Sequence, residues 1–386
     1  MARSRSAART AACALAAVLG LVGTRPRTTE AHKAITSPYN FNEHVYPILR
    51  ERCGRCHYEG GPTPMSLTSY KDAVPWAESI REQLVGEKMP PWYTDLTGPA
   101  VKSGHHLPTR ELDIVVTWAV GGTPLGEIGK DPAPFATPAG QWTAGEPDVK
   151  LPMPAEHTLP AGLLEDTKEF VLPTGFTEPT WIKAADLMPG LPSMVRDAVI
   201  AIENGPVLAA WVPGDEPAFS PSGTAFRVPA GGRITLRIHY KKHWQDEQES
   251  RSDKSVVGLY VSDAPVSGRS LEAVTVAPHG ESAAETVTFS TTLTAAARVV
   301  AIRPSFDRAY ESVDVHAVLQ GGRTVPLLLL RSAQPQWYRR YWLAEPLELP
   351  AGTKVEIVAA SAPKDEFAVS APQRYPLQVH LDYVGP

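Results

Sequence analysis

The chain has 386 residues, with 37 Lys and Arg against 42 Asp and Glu, and its formal net charge at pH 7 is −5. At roughly 100 to 200 residues per domain, this length predicts two or three domains, each able to bury its own core. The acidic balance and the lack of a dense Lys/Arg block exclude nucleic acid and anionic lipid as expected partners.

The first 31 residues have the pattern of a secretory signal peptide. Basic residues such as Arg3 and Arg5 precede an apolar run from Ala11 to Val22, and a small-residue cleavage site ends at Ala31. An uncleaved membrane anchor is the alternative, although this run is short for a bilayer-spanning helix. We therefore expect an exported protein, periplasmic in a bacterium, with no stable transmembrane segment once the signal is removed.

One motif dictates a specific chemistry: Cys53-Gly-Arg-Cys56-His57. Two thiols at this spacing, followed at once by an imidazole, are typical of covalent haem attachment, with His57 as an iron ligand. A thioredoxin-like dithiol would not need the histidine, and a zinc site would need two further ligands. Cys13 belongs to the predicted signal, so only two thiols remain after export. The sequence thus predicts one covalent haem c.

Three helical patterns surround this motif, at Phe41 to Arg52, Ser69 to Glu87 and Thr109 to Val120. Three short helices in so short a stretch predict a small all-α haem domain over residues 38–126.

The iron needs a sixth ligand from another segment, and Met89 is the best candidate. It lies in Lys88-Met89-Pro90-Pro91, where two prolines stiffen the loop. Met65 is the competing thioether, although packing is its expected role. A histidine, such as one of the His105-His106 pair, and an open site are the other options.

Residues 127–146 are rich in Gly, Pro, Ala and Thr and are expected to form a linker. Beyond them, short β-prone runs without intervening helices predict two β-sandwiches, over residues 147–265 and 266–386. Ten runs are expected to form strands: Glu169 to Leu172, Val195 to Ile202, Ile234 to Tyr240, Val256 to Val261, Val287 to Leu293, Ala297 to Arg303, Val313 to Leu319, Val325 to Leu330, Lys354 to Ala360 and Gln378 to Val384. The expected fold class is therefore multidomain, a small all-α cytochrome c domain followed by two all-β jelly-roll-like sandwiches.

The ordered motifs of residues 38–126 carry a family resemblance. The series is Phe41-x-x-x-Val45-x-Pro47-Ile48-Leu49, Cys53-x-x-Cys56-His57, Gly60-Gly61, Met65-Ser66-Leu67, Trp76-Ala77-x-x-Ile80, Met89-Pro90-Pro91-Trp92 and Trp118-x-x-Gly121-Gly122. It resembles the small bacterial cytochrome c domain that often precedes a copper type II, ascorbate-dependent monooxygenase-like module. This resemblance implies that Met89 is the distal ligand.

The second half resembles that monooxygenase class, which includes peptidylglycine hydroxylase and dopamine β-hydroxylase. The similar pieces are Pro213-Gly214, Leu236-Arg237-Ile238-His239-Tyr240, Gly321-Gly322-Arg323, Trp337-Tyr338-x-x-Tyr341 and Leu349-Pro350-Ala351-Gly352-Thr353. The resemblance implies two copper sites built from histidines and a methionine.

Most of the positions that match these copper ligands hold other residues. The chain has Val195-Arg196-Asp197, Pro304-Ser305-Phe306-Asp307 and Leu377 where the family has its ligands. Only His239 stands at a ligand position. It is a weak copper candidate, with His243 as a partial partner, and His316 is a further lone histidine. Neutral His and Met donors suit redox copper, whereas Arg, Ser and Asp do not, so bound copper is not expected.

These observations predict an exported monohaem c-type cytochrome that exchanges electrons with a redox partner protein. The alternatives are a haem-fed, copper-dependent monooxygenase and a pentacoordinate haem sensor of small gases or peroxide.

Overall fold

The computed structural model describes residues 34–102, 106–127, 129–130, 132–262, 270–280, 284–363 and 375–385. The predicted signal peptide, residues 1–31, lies outside these residues, as do His105 and the predicted boundary at residue 265. These three features stay predictions.

The helical segments all lie near the N-terminal end of the described chain, apart from a single 3-10 turn. Their bounds are Phe41–Val45, Tyr46–Ile48, Leu49–Cys53, Tyr70–Ala73, Val74–Trp76, Ala77–Val85, Thr109–Val120 and, among the strands, Trp244–Asp246. Each of the three predicted helical patterns is confirmed, the last with the expected bounds. Their apolar sides form one core cluster around Phe41, Leu49 and Trp118, and the Trp118 indole donates a hydrogen bond to the Pro124 carbonyl at 3.1 Å.

Eighteen strands form the rest of the regular structure in the described residues. They are β1 (Val149–Pro152), β2 (His157–Leu159), β3 (Glu165–Pro173), β4 (Thr180–Met188), β5 (Val195–Ile202), β6 (Val207–Trp211), β7 (Phe226–Val228), β8 (Arg233–Lys241), β9 (Arg251–Asp253), β10 (Val256–Val261), β11 (Glu272–Val276), β12 (Thr286–Thr292), β13 (Ala297–Ser305), β14 (Tyr310–Val318), β15 (Thr324–Ala333), β16 (Tyr341–Leu349), β17 (Lys354–Ser361) and β18 (Gln378–Val384). All ten predicted strands are present. Strand β4 was not predicted, because the Lys-Ala-Ala-Asp sequence at its centre has low β-propensity.

The strands pair antiparallel into four four-stranded sheets and one two-stranded sheet. The orders are β1-β10-β4-β7, β3-β8-β5-β6, β11-β18-β13-β16, β12-β17-β14-β15 and β2-β9. Strands β1–β10 supply most of one core cluster, with residues such as Ile200 and Tyr240, and Trp342 and Val384 of β16 and β18 also pack in it. Strands β11–β18 enclose another around Val315 and Ile357. We call these two parts the first and second β unit.

The predicted fold class is wrong. The described chain is mostly β-sheet, and its short helices do not form an all-α cytochrome domain. The segment after the second helical pattern joins the second β unit instead, through the β-bridges Thr94↔Leu330 and Val101↔Leu343. The four-stranded sheets form a propeller-like arrangement rather than jelly-roll-like sandwiches. Hydrophobic alternation predicts where strands lie, but it carries no information about which strands pair, and this is why the class was missed.

No helix in these described ranges is long and apolar enough to cross a membrane.

Trp118 should be the residue on which the helical core depends most. It is 0 % exposed, so a Trp118→Ala substitution leaves a large cavity and should lower the free energy of unfolding by about 3–5 kcal/mol. Trp244 is 72 % exposed, so Trp244→Ala is the matched control and should change stability by no more than about 0.5 kcal/mol. Urea unfolding followed by tryptophan fluorescence and circular dichroism measures both. Equal effects of the two substitutions would contradict the assignment of this core.

Candidate haem-attachment site

Hydrogen bonds stabilise both ends of the helical segment that leads to Cys53. At its start, the Asn40 side chain accepts a hydrogen bond from the Glu43 N–H at 2.9 Å. At its end, the Gly54 N–H donates to the Leu49 carbonyl at 2.7 Å. A Cβ atom at Gly54 would lie 2.6 Å from the Arg50 carbonyl and 2.5 Å from the Phe135 ring. A glycine is therefore required directly after Cys53.

A tight turn brings the motif residues together. The N–H groups of Cys56 and His57 both donate to the Cys53 carbonyl, at 3.1 and 2.9 Å. The Thr63 hydroxyl lies 3.0 Å from the carbonyl oxygens of both Cys56 and Met65. The Leu67 N–H then closes the loop on the His57 carbonyl at 3.0 Å. The two thiols and the imidazole thus project from one hydrogen-bonded loop, residues 53–67, which we call the motif loop.

Both thiols are free, and both are half-buried. Burial raises the pKa of Cys53 to about 12 and that of Cys56 to about 12. A catalytic dithiol of the thioredoxin type needs a lowered thiol pKa, because the thiolate is its nucleophile. The raised pKa of both thiols therefore disfavours a thioredoxin-type dithiol.

His57 has a buried nitrogen that lacks a partner. Its Nδ1 is buried, and no described group makes a hydrogen bond with it. Burial also lowers the pKa of His57, while a backbone hydrogen bond with Met65 partly opposes this effect. The ring is therefore neutral at neutral pH, which is the form that binds a metal. The donor set of two free thiols and a neutral, incompletely paired imidazole fits a c-type haem.

The two candidate distal ligands occupy different surroundings. Met65 packs, together with Cys53, against the helical core cluster. Met89 lies outside that cluster, just beyond the helix Ala77–Val85, where its N–H donates to the Gln83 carbonyl at 3.2 Å. Both side chains are half-buried. The assignment of Met89 as the sixth ligand stays a prediction.

Trp92, three residues beyond Met89, packs away from the motif loop. It is 8 % exposed and belongs to the core cluster of the second β unit. There its ring meets Trp337 edge-on, with centroids 5.8 Å apart, and the Arg339 guanidinium lies 4.6 Å from its centroid. The loop that carries Met89 is therefore tied at its far end to the second β unit.

The motif loop rests directly on the first β unit. The Cys56 thiol donates to the Pro213 carbonyl at 3.2 Å, and a Cβ atom at Gly214 would clash with the same sulfur. Arg55 forms a salt bridge with Glu216 at 2.5 Å. At the other end of the loop, His243 Nε2 lies 3.4 Å from the Pro62 carbonyl. Sequence reasoning missed this contact, since nothing in the local pattern connects residue 56 with residue 213.

His239, the weak copper candidate, has both ring nitrogens engaged. It is 3 % exposed, with Nδ1 3.0 Å from Asp197 Oδ2 and Nε2 2.8 Å from Glu165 Oε1. Burial acts to raise the pKa of Glu165, but hydrogen bonds from Lys241 and His239 hold it at about 2. Both ring nitrogens are already engaged by carboxylates, so neither is open to copper and the residues around His239 do not fit that metal.

The other positions matched to copper ligands also serve the framework. The Ser305 hydroxyl donates to the Pro376 carbonyl at 2.7 Å, and Asp307 accepts from the Tyr310 hydroxyl at 2.7 Å. Leu377 belongs to the core of the second β unit. Across the described ranges, no group of three or more His, Cys, Asp or Glu side chains is arranged to hold a metal ion.

Two further histidines considered as metal ligands, His106 and His316, have structural surroundings. His106 Nε2 lies 2.9 Å from the Thr94 hydroxyl, and its ring meets Tyr93 edge-on. His316 is half-buried on β14, opposite Glu356 of β17.

Comparison with known proteins adds no family. No family model matches the chain, and no curated protein matches it. Among solved structures, the major capsid protein P2 of bacteriophage PM2 aligns at 9% identity over 61% of this chain and 96% of its own, with a TM-score of 0.27. The PBSX exported protein XepA aligns at 12% identity over 61% of this chain and 92% of its own, with a TM-score of 0.18. A Paenibacillus xanthan lyase aligns at 12% identity over 64% of this chain and 27% of its own, with a TM-score of 0.17. At such TM-scores none of these alignments supports an argument.

The carboxylates around His239 should make the free energy of unfolding depend on pH in the acid range. The pKa of Glu165 is lowered from 4.5 to about 2, so its stabilising effect is complete above pH 4.5 and is lost as the pH falls from 4.5 to 2. Glu165→Gln should lower the free energy of unfolding at pH 7 by about 1–3 kcal/mol and flatten its pH dependence in that window. Glu169→Gln, an exposed position on the same strand, is the control. Denaturant titrations at several pH values test this. The account fails if both variants keep the pH profile of the unsubstituted protein.

Proposed function

We propose that this chain is an exported c-type cytochrome that carries one covalent haem and transfers electrons to or from a partner protein. The observation that supports the proposal best is the Cys53-to-His57 turn, which places two free thiols beside a neutral imidazole with an unpartnered buried nitrogen. The motif series of residues 38–126 resembles that of bacterial cytochrome c domains and agrees with it, although the helices of this stretch do not form an all-α domain. The predicted signal peptide agrees with export to the periplasm, where c-type haem attachment is expected.

Each motif residue has a definite role in this proposal. Cys53 and Cys56 would form the thioether bonds, His57 would be the proximal ligand, and Met89 would be the distal ligand. When bound, the haem supplies one-electron chemistry through its iron. The chain's own residues orient these groups: the Cys53 carbonyl accepts from the Cys56 and His57 N–H groups. The Pro213 carbonyl accepts a hydrogen bond from the Cys56 thiol, and Gly214 packs against the same sulfur.

A haem-fed copper monooxygenase is less well supported. It would need several imidazole or thioether donors at its copper sites, whereas His239 is held by Glu165 and Asp197. We therefore propose electron transfer without copper. The partner is a redox protein, and the acidic balance of the chain favours a partner with a complementary basic surface.

The full chain, expressed with a haem-attachment system, should carry one haem that survives acid-acetone extraction. Replacing both Cys53 and Cys56 with Ser should abolish this haem, because no thioether can form. Cys13→Ser is the matched control and should leave haem content unchanged, since Cys13 lies in the predicted signal. A pyridine haemochrome spectrum and an intact mass measure the result. A chain without covalent haem would overturn the proposed function.

The two methionines can be separated by substitution. Met89→Ala should remove the thioether ligand, abolish the iron–methionine charge-transfer band and lower the reduction potential by part of the roughly 0.8 V range that axial ligands span. Met65→Ala is the matched control, because Met65 packs against the helical core, and it should keep the band. Redox titration with visible spectroscopy measures both variants. If only Met65→Ala loses the band, the distal ligand is Met65 and the Met89 assignment is wrong.

A further inference from the structure

A cavity of about 300 Å³ lies where the motif loop meets the first β unit. Its walls come from the motif loop, from the segment 138–143 and from the ends of β4 and β6 with the turns that follow them. Its charged and aromatic walls include Arg55, Tyr58, Asp186, Trp211, Asp215 and Glu216. This volume is at the small end of the range of ligand pockets, so the cavity suits a small molecule rather than a peptide or a haem.

Most of the charges around this cavity cancel in pairs. Arg55 and Glu216 form a salt bridge at 2.5 Å, and Asp215 pairs with Arg339 at 3.1 Å. Asp186 differs from them. Asp186 is only 4 % exposed. Its Oδ1 accepts a hydrogen bond from the Leu187 N–H at 2.8 Å. Its other hydrogen bond comes from the Trp211 side chain. Among the described residues, no salt bridge reaches this carboxyl group.

Aromatic rings line the same space. Trp211 is half-buried at the end of β6, and Tyr58 is 6 % exposed and stacks on Phe135 with centroids 6.4 Å apart. A buried carboxylate that lines the same cavity as a tryptophan ring and a tyrosine ring is a combination that recognises organic cations. The carboxylate attracts their charge, and the rings make cation–π contacts with them.

We propose that this cavity binds a small organic ammonium ion, with Asp186 as its counter-ion and with Trp211 and Tyr58 as its aromatic walls. The site shares the motif loop with the proposed haem site, through Arg55 and Tyr58, but it uses none of the proposed iron ligands. A bound cation would supply the ion-pair partner that Asp186 lacks, and so offset the cost of keeping that charge out of water.

The pH dependence of binding follows from the surroundings of Asp186. Burial raises the pKa of its carboxyl to about 7, and the charge of Asp215 adds to this rise. The other charged or titratable groups around it are Arg55, Glu216 and Tyr58 on the cavity walls and Tyr260 on the neighbouring strand β10. Because an ammonium ion binds the ionised carboxylate, affinity should be greatest above pH 7. It should fall about tenfold for each pH unit below 7.

Choline and its neutral isostere 3,3-dimethylbutan-1-ol are the probes, titrated calorimetrically into the full chain at pH 8 and constant ionic strength. Choline should bind at least tenfold more tightly than the isostere. Potassium chloride at the same concentration should not compete, because a small hydrated ion gains little from the aromatic walls. Equal affinity for choline and the isostere would overturn the proposal, as would full competition by potassium.

The charge of Asp186 is tested by substitution. Asp186→Asn should weaken choline binding at least tenfold, whereas Glu348→Gln, a highly exposed position in the second β unit, should leave it unchanged. If Asp186→Asn does not fold, the pH series on the unsubstituted chain decides the question. An affinity for choline that stays constant between pH 8 and pH 5 would then reject the site. Haem content is recorded in parallel, so failure of this site and failure of the haem proposal are distinguishable.

Discussion

Two adjacent arginines, Arg339 and Arg340, hold the parts of the molecule together. Arg340 is 5 % exposed and pairs with Asp382 at 2.6 Å. It also donates to the carbonyl oxygens of Leu208 and Val207 in the first β unit, both at 2.6 Å. One buried guanidinium therefore satisfies groups from both β units. Breaking a buried pair of this kind typically costs about 3–5 kcal/mol, because the partner charge stays buried. This side chain therefore joins the two units, alongside second-unit residues such as Trp342 and Val384 that pack in the core of the first.

Arg339 extends the same connection to the candidate haem site. Its guanidinium pairs with Asp215, in the turn whose Pro213 carbonyl receives the Cys56 thiol. It also lies over the ring of Trp92, which follows the Met89 loop. The segment that contacts the attachment cysteine and the segment that carries the proposed distal ligand are thus held by one buried cation. This gives the β units a physical role in the proposed function, since they fix both sides of the site.

The sequence predicted well what depends on neighbours in the chain. The apolar period around Trp118 predicts a helix with the observed bounds Thr109–Val120, and the ten β-prone runs predict strands that are present. Contacts between residues that are far apart in the sequence could not be predicted from it. Nothing near His239 in the sequence reveals that Asp197 and Glu165 hold its ring, and nothing near Trp92 reveals that it packs on Trp337. The fold class failed for the same reason, because the pairing of strands is a long-range property.

The buried carboxyl groups of this protein differ in the partners that compensate their negative charge. Asp382 has Arg340, and Asp197 has His239, so each of these two carboxylates has a partner that can carry the opposite charge. Asp253, which is 1 % exposed, is instead held by three neutral donors, the Leu191 N–H and the hydroxyls of Tyr240 and Ser255. Asp186 is equally buried, yet its hydrogen bonds come from the neutral Leu187 N–H and Trp211 side chain. A neutral donor offsets less of the cost of a buried charge than a cation does, which is why its pKa is raised. A side chain of similar shape without a charge, such as asparagine, would avoid this cost if only packing mattered. In the proposed site, a cation that enters the cavity from outside the chain would give Asp186 the charged partner that its own two hydrogen bonds do not supply.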